Sequence, residues 1–198
     1  MKTLYCFDFD GTITKHDTMF MFLKFYAPQK YFIQFARFIP LFVLVKLKLA
    51  TAEKIKMRFV NSIIGGESKE KIEMQSNAFF RKNYPAIIRE NVIAFIDKID
   101  RSDADCFIVT ASLDCWVKPF SEHLNMKLIA TEVRYENDVF MGSLQTKNCT
   151  GEEKVNRIMQ AIVGKEYKKT VALGDSTGDK EMFEWVDEYL FVNKKGCI

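Results

Sequence analysis

The sequence predicts an α/β fold, a parallel sheet with helices on both faces and a helical segment inserted after the first strand. Three observations carry this. Short apolar strands at residues 4–7, 105–109 and 169–173 each run straight into a polar turn that opens toward a helix. Strand and helix patterns alternate through the second half of the chain, the arrangement that a parallel sheet with crossover helices requires. Residues 15–86 interrupt that rhythm with helix-like, strongly apolar sequence. The expected organisation is therefore a core built from residues 1–14 and 87–198 and a helical cap from residues 15–86. At 198 residues, 48% hydrophobic and 28% charged, the chain has enough apolar material for one domain with an insertion, and its composition argues against disorder.

Taken in order, the strand 4–7 leads into Asp8-Phe9-Asp10-Gly11-Thr12. The cap begins with Phe20, Phe22, Leu23, Phe25 and Tyr26, then Pro28, then an apolar run over 31–49 interrupted by Arg37, Lys46 and Lys48. Its uncharged part, residues 38–45, is far too short to span a bilayer. Thr51 opens a further helix that Gly65-Gly66 ends. Residues 92–96 lie on a helix before the strand 105–109, and 113–124 form the next helix. Residues 128–133 read as a strand and 135–144 as a hairpin turned at Glu136-Asn137-Asp138. A helix carrying Val155, Ile158, Met159 and Ile162 follows, then the strand 169–173, a helix from Lys180 and a last strand over 189–192. No internal repeat, low-complexity tract or secretory signal is visible, since the first strand begins at Lys2.

The chemistry concentrates where strands end. In extended backbone, residues i and i+2 point the same way, so Asp8 and Asp10 are expected to converge just past the first strand. Paired carboxylates repel unless a cation or shared proton relieves them. A hard divalent ion such as Mg²⁺ suits them, because it takes oxygen ligands, often one or two carboxylates plus a substrate phosphate. A solvated Asp-rich turn is the competing reading. A second acidic turn, Gly174-Asp175-Ser176-Thr177-Gly178-Asp179, also follows an apolar strand, and two such turns face a common crevice in open α/β sheets. Asp175 would reach the metal, with Asp179 in support; a helix cap explains Asp179 equally well. Thr110-Ala111-Ser112 ends a third strand, where a hydroxyl and backbone N–H groups suit phosphate oxygens, or an ordinary helix cap. Lys154, near a helix start, draws interest only through these neighbours, since the helix dipole disfavours a cation there.

In this order, Asp8-Phe-Asp-Gly-Thr12, Thr110, Lys154 and Gly174-Asp175 with Asp179 resemble the four motifs of the haloacid dehalogenase (HAD) superfamily. The likeness runs from residue 4 to about 192, with the four motifs spread along it. Within it the chain resembles the phosphoserine phosphatase-like subgroup, and more narrowly the bacterial IB-type hydrolases that include phosphatidylglycerophosphatase C. The resemblance implies a HAD-type Rossmann-like sheet and Mg²⁺ as cofactor. It implies that Asp8 is the nucleophile and Asp10 the general acid and base. It further implies that Asp8, Asp10 (through its carbonyl), Asp175 and Asp179 surround the metal, while Thr110, Ala111, Ser112 and Lys154 hold the phosphoryl group. Asp17 falls at the acidic position that grips the amino acid in phosphoserine phosphatases, and Arg58 is the candidate cap arginine; either is also readable as a surface charge, and Asp17 as a helix cap. One departure stands: Gly178 occupies a position where many phosphoserine phosphatases carry Asn.

Other classes are excluded or held open. A net charge of +3 is too small to point to nucleic acid. Cys6, Cys106, Cys115, Cys149 and Cys197 form no CxxC pair, which suits reduced thiols in a cytoplasmic protein, and His16 and His123 are too isolated for a zinc site. The apolar run of the cap either packs internally or meets a membrane interface at the inner face, flanked by its Lys and Arg residues. The expected function is a Mg²⁺-dependent phosphatase acting on a small phosphometabolite or a lipid phosphate. The alternative is a membrane- or protein-binding module that keeps the fold with little turnover.

Overall fold

The computed structural model describes residues 1–193, which leaves Cys197 outside the described residues. Five parallel strands form the central sheet, in the order β3-β2-β1-β6-β7: β1 Lys2–Phe7, β2 Ala104–Leu113, β3 Lys127–Thr131, β6 Tyr167–Gly174 and β7 Glu188–Phe191. Strand residues alternate between faces, and the core divides accordingly. Leu4, Cys6, Phe107, Val109 and Ala172 face one side, where Ile158 of α7 (Glu152–Ala161) and Met182 of α8 (Lys180–Trp185) cover them. Phe7, Ile108, Val171 and Leu173 face the other, against Val92 and Ile96 of α5 (Glu90–Ile96) and Trp116, Val117 and Phe120 of α6 (Asp114–His123).

Between β1 and α5 come four helices: α1 Thr18–Tyr26, α2 Pro28–Lys46, α3 Ala52–Ile64 and α4 Lys69–Ile87. The outgoing and returning chains run side by side, with Lys15 N donating to Ile87 O at 2.7 Å and Arg89 N to Ile13 O at 2.9 Å. Pro28 opens α2, where its missing N–H costs nothing. Pro40 sits inside α2 without ending it; Ala36 and Pro40 are both exposed, so the carbonyl that loses its partner faces water. The core of the insertion is aromatic, with fully buried Phe59 of α3 ringed by Phe20, Tyr31, Phe35, Phe38 and Phe42 at centroid distances of 5.3–6.2 Å.

The hairpin expected at 135–144 is β4 Val133–Glu136 and β5 Val139–Leu144. It turns on Asn137 and Asp138, both with positive φ, as a two-residue hairpin turn demands. It also clamps the insertion: Gly66 N donates to Phe140 O, Phe140 N to Glu67 O and Lys69 N to Asp138 O. Among the described residues no helix is long and apolar enough to cross a membrane, and the four cysteines described are buried and unpaired.

Candidate active site

The register of the sheet sets the site. Phe7 pairs with Ile108 on one side and Leu173 on the other, so β1 and β6 end almost together while β2 runs on to Leu113 beside them. Their carboxyl ends open into a cavity of about 640 Å³, a typical ligand-site volume, lined by Asp8, Asp10, Thr110, Ser112, Lys154 and Asp175 among others. Helices lie on opposite sides of the sheet here, the crevice position expected of an open α/β fold.

Asp8 leaves the sheet edge with its N–H on Leu173 O at 2.8 Å. Its Oδ1 accepts from Lys154 Nζ at 2.6 Å and its Oδ2 from the Thr12 hydroxyl at 3.2 Å. Lys154 reaches across from α7 and is only 2% exposed. Its three N–H groups go to Asp8, Asp179 Oδ1 at 2.6 Å and Val109 O at 2.8 Å, the complete donor set of an ammonium. Burial pushes the Asp8 carboxyl up to about 7, with Lys154 pulling against it and Asp179 and Asp10 adding to the rise. Burial alone would lower Lys154, but Asp8 and Asp179 outweigh it and hold the ammonium above its ordinary range.

Asp10 lines the same cavity as Asp8, and its charge adds to the rise of the Asp8 carboxyl, but it is held by different partners. β1 ends at Phe7 and the chain turns through Gly11, so the Asp10 carboxylate swings toward the insertion. It accepts from Thr18 N at 2.7 Å and from the Ser112 hydroxyl. Burial, then the charge of Asp17, raises it to about 6, against the pull of Ser112 and Thr18. Ser112, expected on the phosphoryl group, is thus engaged with Asp10, while its own N–H donates to the Thr110 hydroxyl at 3.0 Å. Ala111 is exposed to the cavity between them.

Asp8, Asp175 and Asp179 each bring a carboxylate oxygen within 4.8 Å of the others. Three acids around one lysine leave an excess of negative charge, and the oxygen donor set suits a hard divalent ion. Asp175 is raised by burial and by Asp179. A Cβ on Gly11, whose φ is +84°, would collide with the Asp175 carboxylate, so only glycine lets this turn approach it. Asp179 organises the loop: its Oδ2 accepts from Asp175 N, Ser176 N and the Ser176 hydroxyl at 3.0–3.2 Å. Gly178 also has a local reason. A Cβ there would lie 2.8 Å from the Thr150 hydroxyl, and Gly151 N donates to its carbonyl at 2.9 Å, so the 148–151 loop occupies the space an Asn would need.

The insertion contributes unevenly. Asp17 caps α1 through Met19 N at 3.0 Å, as the helix-cap reading expects, and it also lines the cavity. Arg58 is solvent-exposed and does not line the cavity, whereas Lys56, half a turn earlier on α3 and also solvent-exposed, lines its rim with its Nζ 4.0 Å from Asp17. The i to i+2 step puts two α3 residues on different faces, which composition cannot resolve. Lys15, Glu53, Lys56 and Arg89, which the sequence reading did not place at the site, line the cavity, as does His16, which it weighed only as a zinc ligand. Arg89 Nε donates to Gly11 O at 2.8 Å across 78 positions of sequence, a contact with no local signal. His123 packs on the Tyr84 ring with centroids 4.4 Å apart and takes no part.

Parallel strands ending in an acid cluster, a buried lysine and a separately held carboxyl define a hydrolase crevice of the α/β class. The chain belongs to the haloacid dehalogenase-like hydrolase family, whose model matches residues 6–184, the family its motifs resemble. Protein CicA of Caulobacter vibrioides is 33% identical over 187 residues, covering 93% of this chain and 83% of CicA. A Bordetella pertussis protein of unknown function shares the fold with a TM-score of 0.84 at 19% identity, covering 96% of this chain and 90% of that one. A phosphoserine phosphatase solved with substrate bound superposes with a TM-score of 0.65 at 17% identity, covering 96% and 85%.

Proposed function

We propose that the protein is a Mg²⁺-dependent phosphomonoesterase working through a phosphoryl group carried on Asp8, with residues 15–86 as the cap over the cavity. The observation that supports this most is the division of labour between two carboxyls, Asp8 beside Lys154 and the acid cluster, and Asp10 held apart by Ser112 and Thr18.

In the first half-reaction an Asp8 oxygen attacks phosphorus and the bond to the leaving alkoxide breaks, with the Asp10 proton moving to that alkoxide. In the second, Asp10 takes a proton from water as its oxygen attacks phosphorus, which breaks the Asp8–phosphate bond and frees inorganic phosphate. A carboxyl lifted to about 6 suits a group that must give a proton and take one back near neutral pH. Splitting one hard displacement into two is the gain of covalent catalysis. Mg²⁺ held by Asp8, Asp175 and the Asp10 carbonyl, with Asp179 alongside, would neutralise phosphoryl charge. Lys154 keeps Asp8 oriented and carries positive charge toward the transferring group, and Thr110 offers its hydroxyl at the end of β2.

The substrate is a phosphate monoester, either a small phosphometabolite or a lipid phosphate such as phosphatidylglycerophosphate. The cavity presents both signs to the part beyond phosphorus, through Lys15, Lys56 and Arg89 and through Asp17 and Glu53. The test is phosphate release with Mg²⁺ from phosphoserine, sugar phosphates and phosphatidylglycerophosphate in detergent micelles, with Asp8→Asn as the blank. Turnover that survives in the Asp8→Asn variant would exclude the covalent route. Absence of turnover on every ester would favour the binding-module alternative, which leaves the complete set of Asp8, Asp10, Lys154 and Asp175 without a purpose.

A further inference from the structure

Helix α2 is apolar on two faces. One carries Tyr31, Phe35, Phe38 and Phe42 into the aromatic core of the insertion. The other carries Phe32, Ile39, Val43 and Leu47, spaced by seven, four and four residues, with Ile33 and Leu44 beside them, and it is open to solvent. Leu47 is 61% exposed, and Leu49, just beyond the helix, 72%. A helix hydrophobic all round belongs in a core or a membrane, yet half of this one faces outward. Contiguous apolar exposure of this kind marks an interaction site rather than ordinary surface.

The charge around the stripe identifies its partner. From Thr18 to Ala52 there is no Asp or Glu, while Lys24, Lys30, Arg37, Lys46 and Lys48 are present. Lys30 donates to Ile63 O and Lys24 lies over the Phe32 ring. Among the described residues no acid pairs with Arg37, Lys46 or Lys48. A second copy docked through this face would set the same cations against one another with no acid to relieve them, because a two-fold interface brings identical patches together. An apolar ridge flanked only by cations matches the interface of an anionic bilayer, where side chains enter the acyl boundary and Lys and Arg meet lipid phosphates.

We infer that the outer face of α2 docks the protein onto anionic lipid surfaces, with α2 lying in the interface plane. The stripe ends at Leu49, four residues before Glu53, where α3 begins to line the cavity. Docking would therefore bring the cavity mouth to the lipid phosphates; that consequence, unlike the docking itself, rests on the phosphatase reading.

The experiment is sedimentation of the full chain with phosphatidylcholine vesicles, with and without about 30 mol% phosphatidylglycerol, a fraction that gives a strongly negative surface. The expected result is binding to the anionic vesicles alone, weakened by raised salt. The Val43→Gln/Leu47→Gln double variant is expected to lower the partition by about tenfold or more, as removal of two inserting side chains should. The Lys46→Gln/Lys48→Gln variant should remove part of the salt-sensitive component. Unfolding midpoints of both variants, measured without lipid, report whether the fold is intact. No binding to anionic vesicles, or binding that neither folded variant weakens, overturns the proposal. So does a lipid-free dimer by analytical ultracentrifugation that Val43→Gln/Leu47→Gln dissolves, since the occupant would then be a second copy. None of these readouts needs turnover, so failure of docking and failure of the catalytic reading are separable.

Discussion

The crevice at the strand ends and the outer face of α2 depart from the usual placement of side chains in opposite directions. In the crevice, Asp8, Lys154 and Asp179 are buried, and Lys154 matches each of its donors to a protein acceptor. On α2, isoleucine, valine and leucine stand in solvent with no protein neighbour to cover them. Burying charge is costly unless it is paired, and exposing contiguous apolar surface forfeits the main driving force of folding. The difference teaches where function is carried: polar groups are retained inside at the chemical site, and apolar groups are retained outside at the surface where we infer docking.

The largest effect tests the crevice. Asp8→Asn removes the nucleophile and should lower phosphate release by about three orders of magnitude or more, while the unfolding midpoint stays near that of the wild type. Next comes Lys154→Met, which leaves Asp8 and Asp179 buried without their cation and should cost about 3–5 kcal/mol in urea unfolding. If the loss were under about 1 kcal/mol, as for an exposed pair, the lysine would not be the keystone of the cluster. Phe59→Ala, at the centre of the insertion's aromatic ring cluster, should cost a similar ~3–5 kcal/mol by emptying a packed site.

A smaller, pH-dependent effect lies at Asp114, away from the acid cluster. Burial raises its carboxyl to about 6 in the folded protein, although Val133 N donates to it at 3.1 Å. The unfolded carboxyl titrates near 3.9, so the folded state favours its protonated form. Its contribution is fully present below about pH 4 and lost as pH rises through about 6. Asp114→Asn should therefore gain stability relative to wild type across that window in denaturant titrations, and a constant difference would refute the assignment. The smallest effect sharpens the contrast on α2. Val43→Gln should change unfolding free energy by less than about 0.5 kcal/mol, since that side chain leaves no cavity behind.

Much of the core was legible because its signals are local. Apolar strands meeting acidic turns announced Asp8 and Asp175, and the positive-φ hairpin turn was marked by Asn137 and Asp138. The partners that hold Asp10 were not legible, because Thr18 N and the Ser112 hydroxyl come from a helix start and a strand end eight and 102 positions away. Ser112 read as a phosphate ligand from its strand end, and only the approach of the β1 turn gives it Asp10 as partner.

The sequence by itself determined the strand-turn-helix units and the acids at their ends, which depend on residues adjacent in the chain, and the family, which follows from the order of four such short motifs. Tertiary structure decided which contacts complete the site: Lys154, which the motifs already named, meets Asp8 across 146 positions, Arg89 reaches Gly11 across 78, and Lys56 rather than Arg58 lines the cavity. It also decided that the second apolar face of α2 stays uncovered. Periodicity assigns a residue to a helix face, but which face meets a neighbour is fixed only when the elements pack.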